Sequence, residues 1–228
     1  MLENLAPHIS IIFIITTFVS VFLFYKASHS SKKVLFLIIA WASIQAILGY
    51  SSFYLDTSLP PRFSLAIIPP LLLVVILFFT KKGKTFISQL DIKILTILHT
   101  IRIPVELVLY WLFLHKSIPE LMTFSGRNFD ILAGITAPFM YYFGYIYKIA
   151  SPKLLLGWNL ACLSLLLFIV INAVLSFPFP FQQFAFDQPN IALLYFPFVW
   201  LASIVVPIVL FSHLVSIQYL FKQLKTLK

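Results

Sequence analysis

His99, Arg102, Glu106 and Tyr110 lie three, four and four positions apart in a stretch otherwise made of Ile, Leu, Val and Phe. At helical periodicity they fall within about 80° of one another, on a single face. An arginine one turn from a glutamate can form an ion pair, and the two can also hold a polar or zwitterionic solute through charge-assisted hydrogen bonds. Pro104 lies between them. It has no amide for the Thr100 carbonyl, so the helix is expected to bend and leave that acceptor to a ligand, a water or Arg102 itself. Ionisable groups cost about 2.5–3.5 kcal/mol each in hydrocarbon on insertion scales, so this stripe must point into a bundle or a watery cavity. A broken helix beside charges at mid-depth is how many carriers build a substrate site. The competing reading is a self-paired Arg102–Glu106 bridge that only joins helices.

Further polar residues are expected to reach the same region from the outer side. One segment runs Gly126-Arg127-Asn128-Phe129-Asp130 and another Phe186-Asp187-Gln188-Pro189-Asn190. Arg127, Asp130, Asp187 and Asn190 join the stripe as candidate ligand-binding residues. Asp130 and Asn190 also sit near helix starts, where such side chains cap free amides. Between them the prolines of Phe177-Pro178-Phe179-Pro180-Phe181 exclude a regular helix. Their phenylalanines suit an aromatic belt at the headgroup boundary or a lid over the bundle.

The elements that must position these residues are membrane spans. Hydrophobic residues make up 61% of the 228 and charged residues 10%, against roughly 25% charged in soluble domains. About twenty apolar residues cross a bilayer as a helix, and spans are expected near 7–25, 34–55, 63–80, 93–115, 128–149, 154–176 and 191–221. The last is too long for a straight crossing, and Pro197 and Pro207 are expected to bend it. Twelve of the sixteen basic residues (Lys26, Lys32, Lys33, Lys81, Lys82, Lys84, Lys93, Lys148, Lys153, Lys222, Lys225 and Lys228) fall on one side of these spans. Positive-inside bias then places the amino terminus outside and the carboxyl terminus in the cytoplasm. The first span carries its positive cluster after the apolar run, and no clear small-x-small site follows, so it reads as a retained anchor. The expected fold is an all-α integral membrane protein of the plasma (inner) membrane, one seven-helix domain over residues 1–228. The net charge of +9 follows from this topology, and nucleic acid is not an expected partner. The bilayer and a small-molecule ligand are, with a homo-oligomer left open.

A weak internal repeat is readable: Pro61 and Pro69 match Pro189 and Pro197 in spacing, and Trp41 matches Trp158 in position. The layout resembles the three-plus-one-plus-three plan of the SWEET and PQ-loop sugar and amino-acid carriers, which implies a parallel repeat around a linker helix. The chain has no Pro-Gln dipeptide, and its fourth span is the most polar. A rhodopsin of the usual kind is not expected, because span seven has no mid-membrane lysine and its first lysine is Lys222. The lone Cys162 makes no internal disulfide and no cysteine-based metal site, and no histidine spacing fits zinc. No cofactor is expected, the alternative being a b-type haem between His99 and His213, both about 10–12 Å deep at 1.5 Å per residue. The expected function is binding or transport of a small polar or amphiphilic solute. The alternatives are an intramembrane enzyme on a lipid or isoprenoid substrate, with Glu106 or Asp130 as acid or base, and a non-catalytic assembly subunit.

Overall fold

In a computed structural model that describes residues 5–226, the chain is all-helical, with no strand among the described residues. The helices are α1 (Pro7–Ala27), α2 (Lys32–Tyr50), α3 (Ser64–Phe79), α4 (Lys81–Gln89), α5 (Ile92–Leu98), α6 (Arg102–Leu114), α7 (Ile131–Tyr141), α8 (Pro152–Val174) and α9 (Val206–Thr226). A π-helical turn, Tyr142–Ile146, extends α7, and another, Leu201–Val205, leads into α9. Four helices are long and apolar enough to cross a membrane: α1, α2, α8 and the continuous 201–226 segment. A shorter apolar helix covers Ile131–Ile146.

Local chemistry sets the boundaries. Proline opens α1 and α8, where its missing amide costs nothing. The Ser151 hydroxyl accepts from the Leu154 amide at 3.3 Å to cap α8. The Asp91 carboxylate caps α5, accepting from the amides of Lys93 at 2.8 Å and Ile94 at 3.3 Å. Between α3 and α4 the chain turns by 92°. Thr80 caps the new helix by accepting from the Gly83 amide at 3.1 Å, and a Cβ at Gly83 would collide with the Leu77 carbonyl. The sequence did not announce α4. It is short and amphipathic, with exposed Lys81, Lys82 and Lys84 on one side and buried Ile87 on the other.

The expected bend at Pro104 takes a particular form. The span breaks at His99–Ile101 into a tight 3₁₀ turn between α5 and α6, one turn ahead of the proline. The last span differs more from expectation. Helical backbone resumes only at Val199, and residues 191–198 form an irregular, largely buried segment whose one regular feature is the short turn Ala192–Leu194. Pro207 cannot donate to the Ser203 carbonyl, and the Trp41 indole donates to that carbonyl instead, at 3.0 Å. The two tryptophans matched by the weak repeat have unlike partners, since Trp158 donates to the Thr136 hydroxyl at 2.8 Å.

The α5–α6 segment lies at the centre, packed against α1, α7 and α9, while α8 lies along α9. The interior contains His99, Arg102, Glu106, Asn128, Asp130, Asn159 and His213, whereas Phe18, Phe22, Phe36, Leu72, Phe139 and Ile171 are exposed. Polar groups inside and large apolar groups outside is the distribution expected of a protein bathed in acyl chains.

Candidate functional site

Gly134 decides who meets whom at the centre. It lies in the first turn of α7, and a Cβ there would fall 2.9 Å from Ile103 Cγ1 and 3.2 Å from Arg102 Cβ. A small residue at this crossing lets the backbones of α6 and α7 approach. Asp130, four residues before Gly134, shares its face, so its carboxylate arrives beside Arg102. The Arg102 Nη1 donates to Asp130 Oδ1 at 2.7 Å, with both side chains buried. This corrects the sequence expectation of an Arg102–Glu106 pair within one helix: the partner comes from the neighbouring helix. Nor does Asp130 cap α7, since its side chain makes no cap bond.

The network continues from the other arm of the guanidinium. Arg102 Nη2 donates to His213 Nε2 at 2.9 Å, and His213 Nδ1 donates to Asn159 Oδ1 at 2.9 Å. Asn159 Nδ2 in turn donates to the Leu155 carbonyl at 3.0 Å. Because the guanidinium can only donate, His213 must present a bare Nε2 and carry its proton on Nδ1. The imidazole is therefore neutral in this arrangement. His99 stacks on it with ring centroids 3.8 Å apart and planes 14° from parallel. The two rings thus lie face to face, and both nitrogens of His213 are engaged.

Glu106 belongs to a second cluster. Asn128 Nδ2 donates to Glu106 Oε1 at 2.6 Å and to the Met122 carbonyl at 3.0 Å, and Asn128 Oδ1 accepts from the Asp130 amide at 3.0 Å. Glu106 Oε2 and Arg102 Nε are buried and have no hydrogen-bond partner among the described residues. Both residues, with Asn128 and Asp130, line a cavity of about 90 Å³ whose remaining wall is apolar and includes Val105, Leu166 and Phe177. That volume accommodates a handful of waters or a solute of similar bulk. By contrast, the Arg62–Asp56 pair at 2.8 Å is solvent-exposed and belongs to a class that adds little. Hydrogen bonds from Ser58, helped by Arg62, hold the Asp56 carboxyl below the usual carboxylate range.

Of the eight residues singled out in the sequence, Arg102, Glu106 and Asp130 meet at the cavity. His99 is buried one layer away against His213 and Trp158. Tyr110 lies apart from the cavity, stacked on Phe124 at 4.8 Å. Arg127 and Asp187 are exposed, Arg127 lying over the Phe184 ring. Asn190 is buried but does not line the cavity, and its Nδ2 donates to the Ala173 carbonyl at 3.2 Å rather than capping a helix. The Phe-Pro stretch folds inward over its first half. Phe177 packs on Phe63 with centroids 4.7 Å apart, and Phe179 is also buried, while Phe186 stays exposed. Asn128 and Asn159 were missed as site residues. Asn159 is marked in sequence as a lone asparagine in an apolar run, whereas Asn128 stands inside the polar segment 126–130, where its charged neighbours draw the attention.

Opening the α6–α7 crossing should loosen the whole cluster. Gly134→Val is expected to cost about 1–3 kcal/mol by overpacking, read as a lower unfolding temperature in detergent. Gly157→Ala, where an added Cβ meets nothing within 4 Å, should leave that temperature unchanged or slightly raised. Equal behaviour of the two variants would remove Gly134 from this role. The chain as a whole stands alone: no family model, no curated protein and no solved structure matches it.

Proposed function

We propose that the chain crosses the plasma membrane seven times, amino terminus outside and carboxyl terminus in the cytoplasm, and binds or carries a small polar or zwitterionic solute in the cavity beside Arg102, Glu106 and Asp130. The crossings are α1, α2, α3, the broken α5–α6 segment, α7 with its π turn, α8 and residues 201–226. Helix α4 then lies along the inner surface. Side-chain and backbone contacts support this sidedness. At the lysine-rich end the Asp91 amide donates to the Ala27 carbonyl at 2.9 Å, and Phe24 and Phe86 both meet Phe211. At the other end His8 packs on Trp111.

One observation carries the solute reading: a buried carboxylate oxygen and a buried guanidinium nitrogen, both unpartnered, belong to residues lining the same cavity. A network serving only to join helices would be expected to saturate both, because each unmet polar group costs about 1–3 kcal/mol, more when charged. A solute with one donor and one acceptor satisfies them together. The test is thermal unfolding of the purified protein against a panel of amino acids, amines, short carboxylates and polyols. A zwitterionic or donor–acceptor solute is expected to stabilise the fold, by about 2.7 kcal/mol at a hundred times its Kd. A flat response to every compound in the panel would contradict the proposal.

A further inference from the structure

A second cavity has a different chemistry. It measures about 360 Å³, four times the polar one at about 90 Å³, and lies between α1, α2, α3 and the start of α9. That volume falls in the range of sites that bury an organic ligand. Its walls are apolar, among them Trp41, Pro70, Val74, Ile204 and Phe211. The polar atoms nearest to them are already spent. The Ser203 hydroxyl donates to the Val199 carbonyl at 2.9 Å, and the Trp41 indole donates to the Ser203 carbonyl. Such walls offer a solute no hydrogen bond, and an alkyl chain needs none.

The geometry also indicates how a chain would enter. Both α2 and α3 pack on the 201–205 turn rather than extensively on each other, and the lining residues Leu37 and Leu73 are 55% and 41% exposed. The cavity thus opens sideways toward the surrounding lipid. Its depth distinguishes it from the ordinary lipid-facing surface, since Val74, Ile204, Ile208 and Phe211 are all buried. At the lysine-rich end Val34 and Phe86 contribute to the lining. Lys32 and Lys33 directly precede Val34, and Lys81, Lys82 and Lys84 share the short helix α4 with Phe86. All five lysines are exposed. The nearby acid Asp91 uses its carboxylate to cap α5.

We infer that this cavity is a binding site for one acyl chain of an anionic phospholipid from the cytoplasmic leaflet, with the headgroup held by the lysines of α4 and the start of α2. The inference rests on the proposed membrane orientation but not on the solute site. Basic residues next to an inner-leaflet surface attract anionic headgroups, and two of them suffice for a preference on the order of tenfold. The bound chain would also fill the gap between α2 and α3, holding α2, which buries few residues of its own.

The test reconstitutes the protein into vesicles with equal amounts of phosphatidylglycerol and phosphatidylcholine of identical chains, extracts it mildly and counts retained lipids by native mass spectrometry. A single phosphatidylglycerol per chain is expected, enriched on the order of tenfold over phosphatidylcholine. Combined Lys32→Gln, Lys33→Gln, Lys81→Gln, Lys82→Gln and Lys84→Gln should reduce that enrichment to near unity without unfolding the protein, since all five side chains are exposed. Val74→Trp, which fills the cavity, should abolish retention. Glu106→Gln should retain lipid as the native chain does, so the lipid site and the solute site fail separately. No retained lipid, equal retention of both headgroups by the native chain, or a folded Val74→Trp variant that keeps its lipid would overturn the inference.

Discussion

Arg102→Leu is expected to destabilise the protein by about 3–5 kcal/mol, the cost of leaving one member of a buried ion pair without its partner. The geometry explains the severity. Leucine withdraws the donor to Asp130 at 2.7 Å and the donor to His213 at 2.9 Å together. A buried carboxylate and a buried imidazole acceptor then lose their shared partner in surroundings that offer little water. Lysine should rescue poorly, because a single ammonium cannot reproduce the fork that spans both acceptors. The informative companion is Arg102→Leu combined with Asp130→Asn, which removes both charges and should recover much of the loss. Reversible unfolding of the single and double variants in micelles yields the coupling directly. Additive losses would mean that the Arg102–Asp130 contact contributes little to the fold.

Glu106→Gln should act in the opposite way, with a large effect on binding and a small one on stability. Glutamine keeps the volume, and its carbonyl oxygen can still accept from Asn128 Nδ2, as Glu106 Oε1 does at 2.6 Å. What changes is the second oxygen, which has no partner among the described residues and belongs to a cavity-lining side chain. It becomes an amide nitrogen, which can only donate, where a carboxyl oxygen can accept. Truncating one side of a buried charged contact costs about 2–5 kcal/mol in binding, so affinity for whichever solute stabilises the native protein should fall on the order of a hundredfold. The unfolding temperature without solute should hold, because the side-chain volume and the bond from Asn128 are both kept. A Glu106→Gln protein that binds as tightly as the native chain would take the site elsewhere.

The way these two residues were assigned shows what a sequence carries. Periodicity placed Arg102 and Glu106 on one helix face, and the cost of burying charge required that face to turn inward, as both buried side chains now do. Proline chemistry located the break, which falls within a turn of Pro104. Periodicity says nothing about which neighbour fills the opposite side. The i, i+4 glutamate is therefore the natural partner for Arg102 in sequence, and Asp130 reads as a ligand-binding or capping residue rather than as the partner of Arg102. The true pairing depends on a close helix crossing at Gly134, a contact between residues far apart in sequence whose energy is invisible in either segment alone. Helix α4 was hidden for a related reason. Its nine residues are fewer than an isolated helix needs in water, and it gains stability by laying Ile87 and Phe86 on the bundle. The expected start of the last helix falls eight residues early, because residues 191–198 are apolar enough to span, yet they are used as irregular, buried packing.

The central claim is that the broken α5–α6 segment turns Arg102 and Glu106 toward an intramembrane cavity that takes a polar guest. An experimental map of the protein in lipid nanodiscs, at a resolution that shows ordered waters, tests it most directly. The account predicts non-protein density within hydrogen-bonding reach of both Glu106 Oε2 and Arg102 Nε, enclosed by Val105, Leu166 and Phe177. Side chains packed solidly across that space, or an Arg102–Glu106 face directed at lipid, would contradict it.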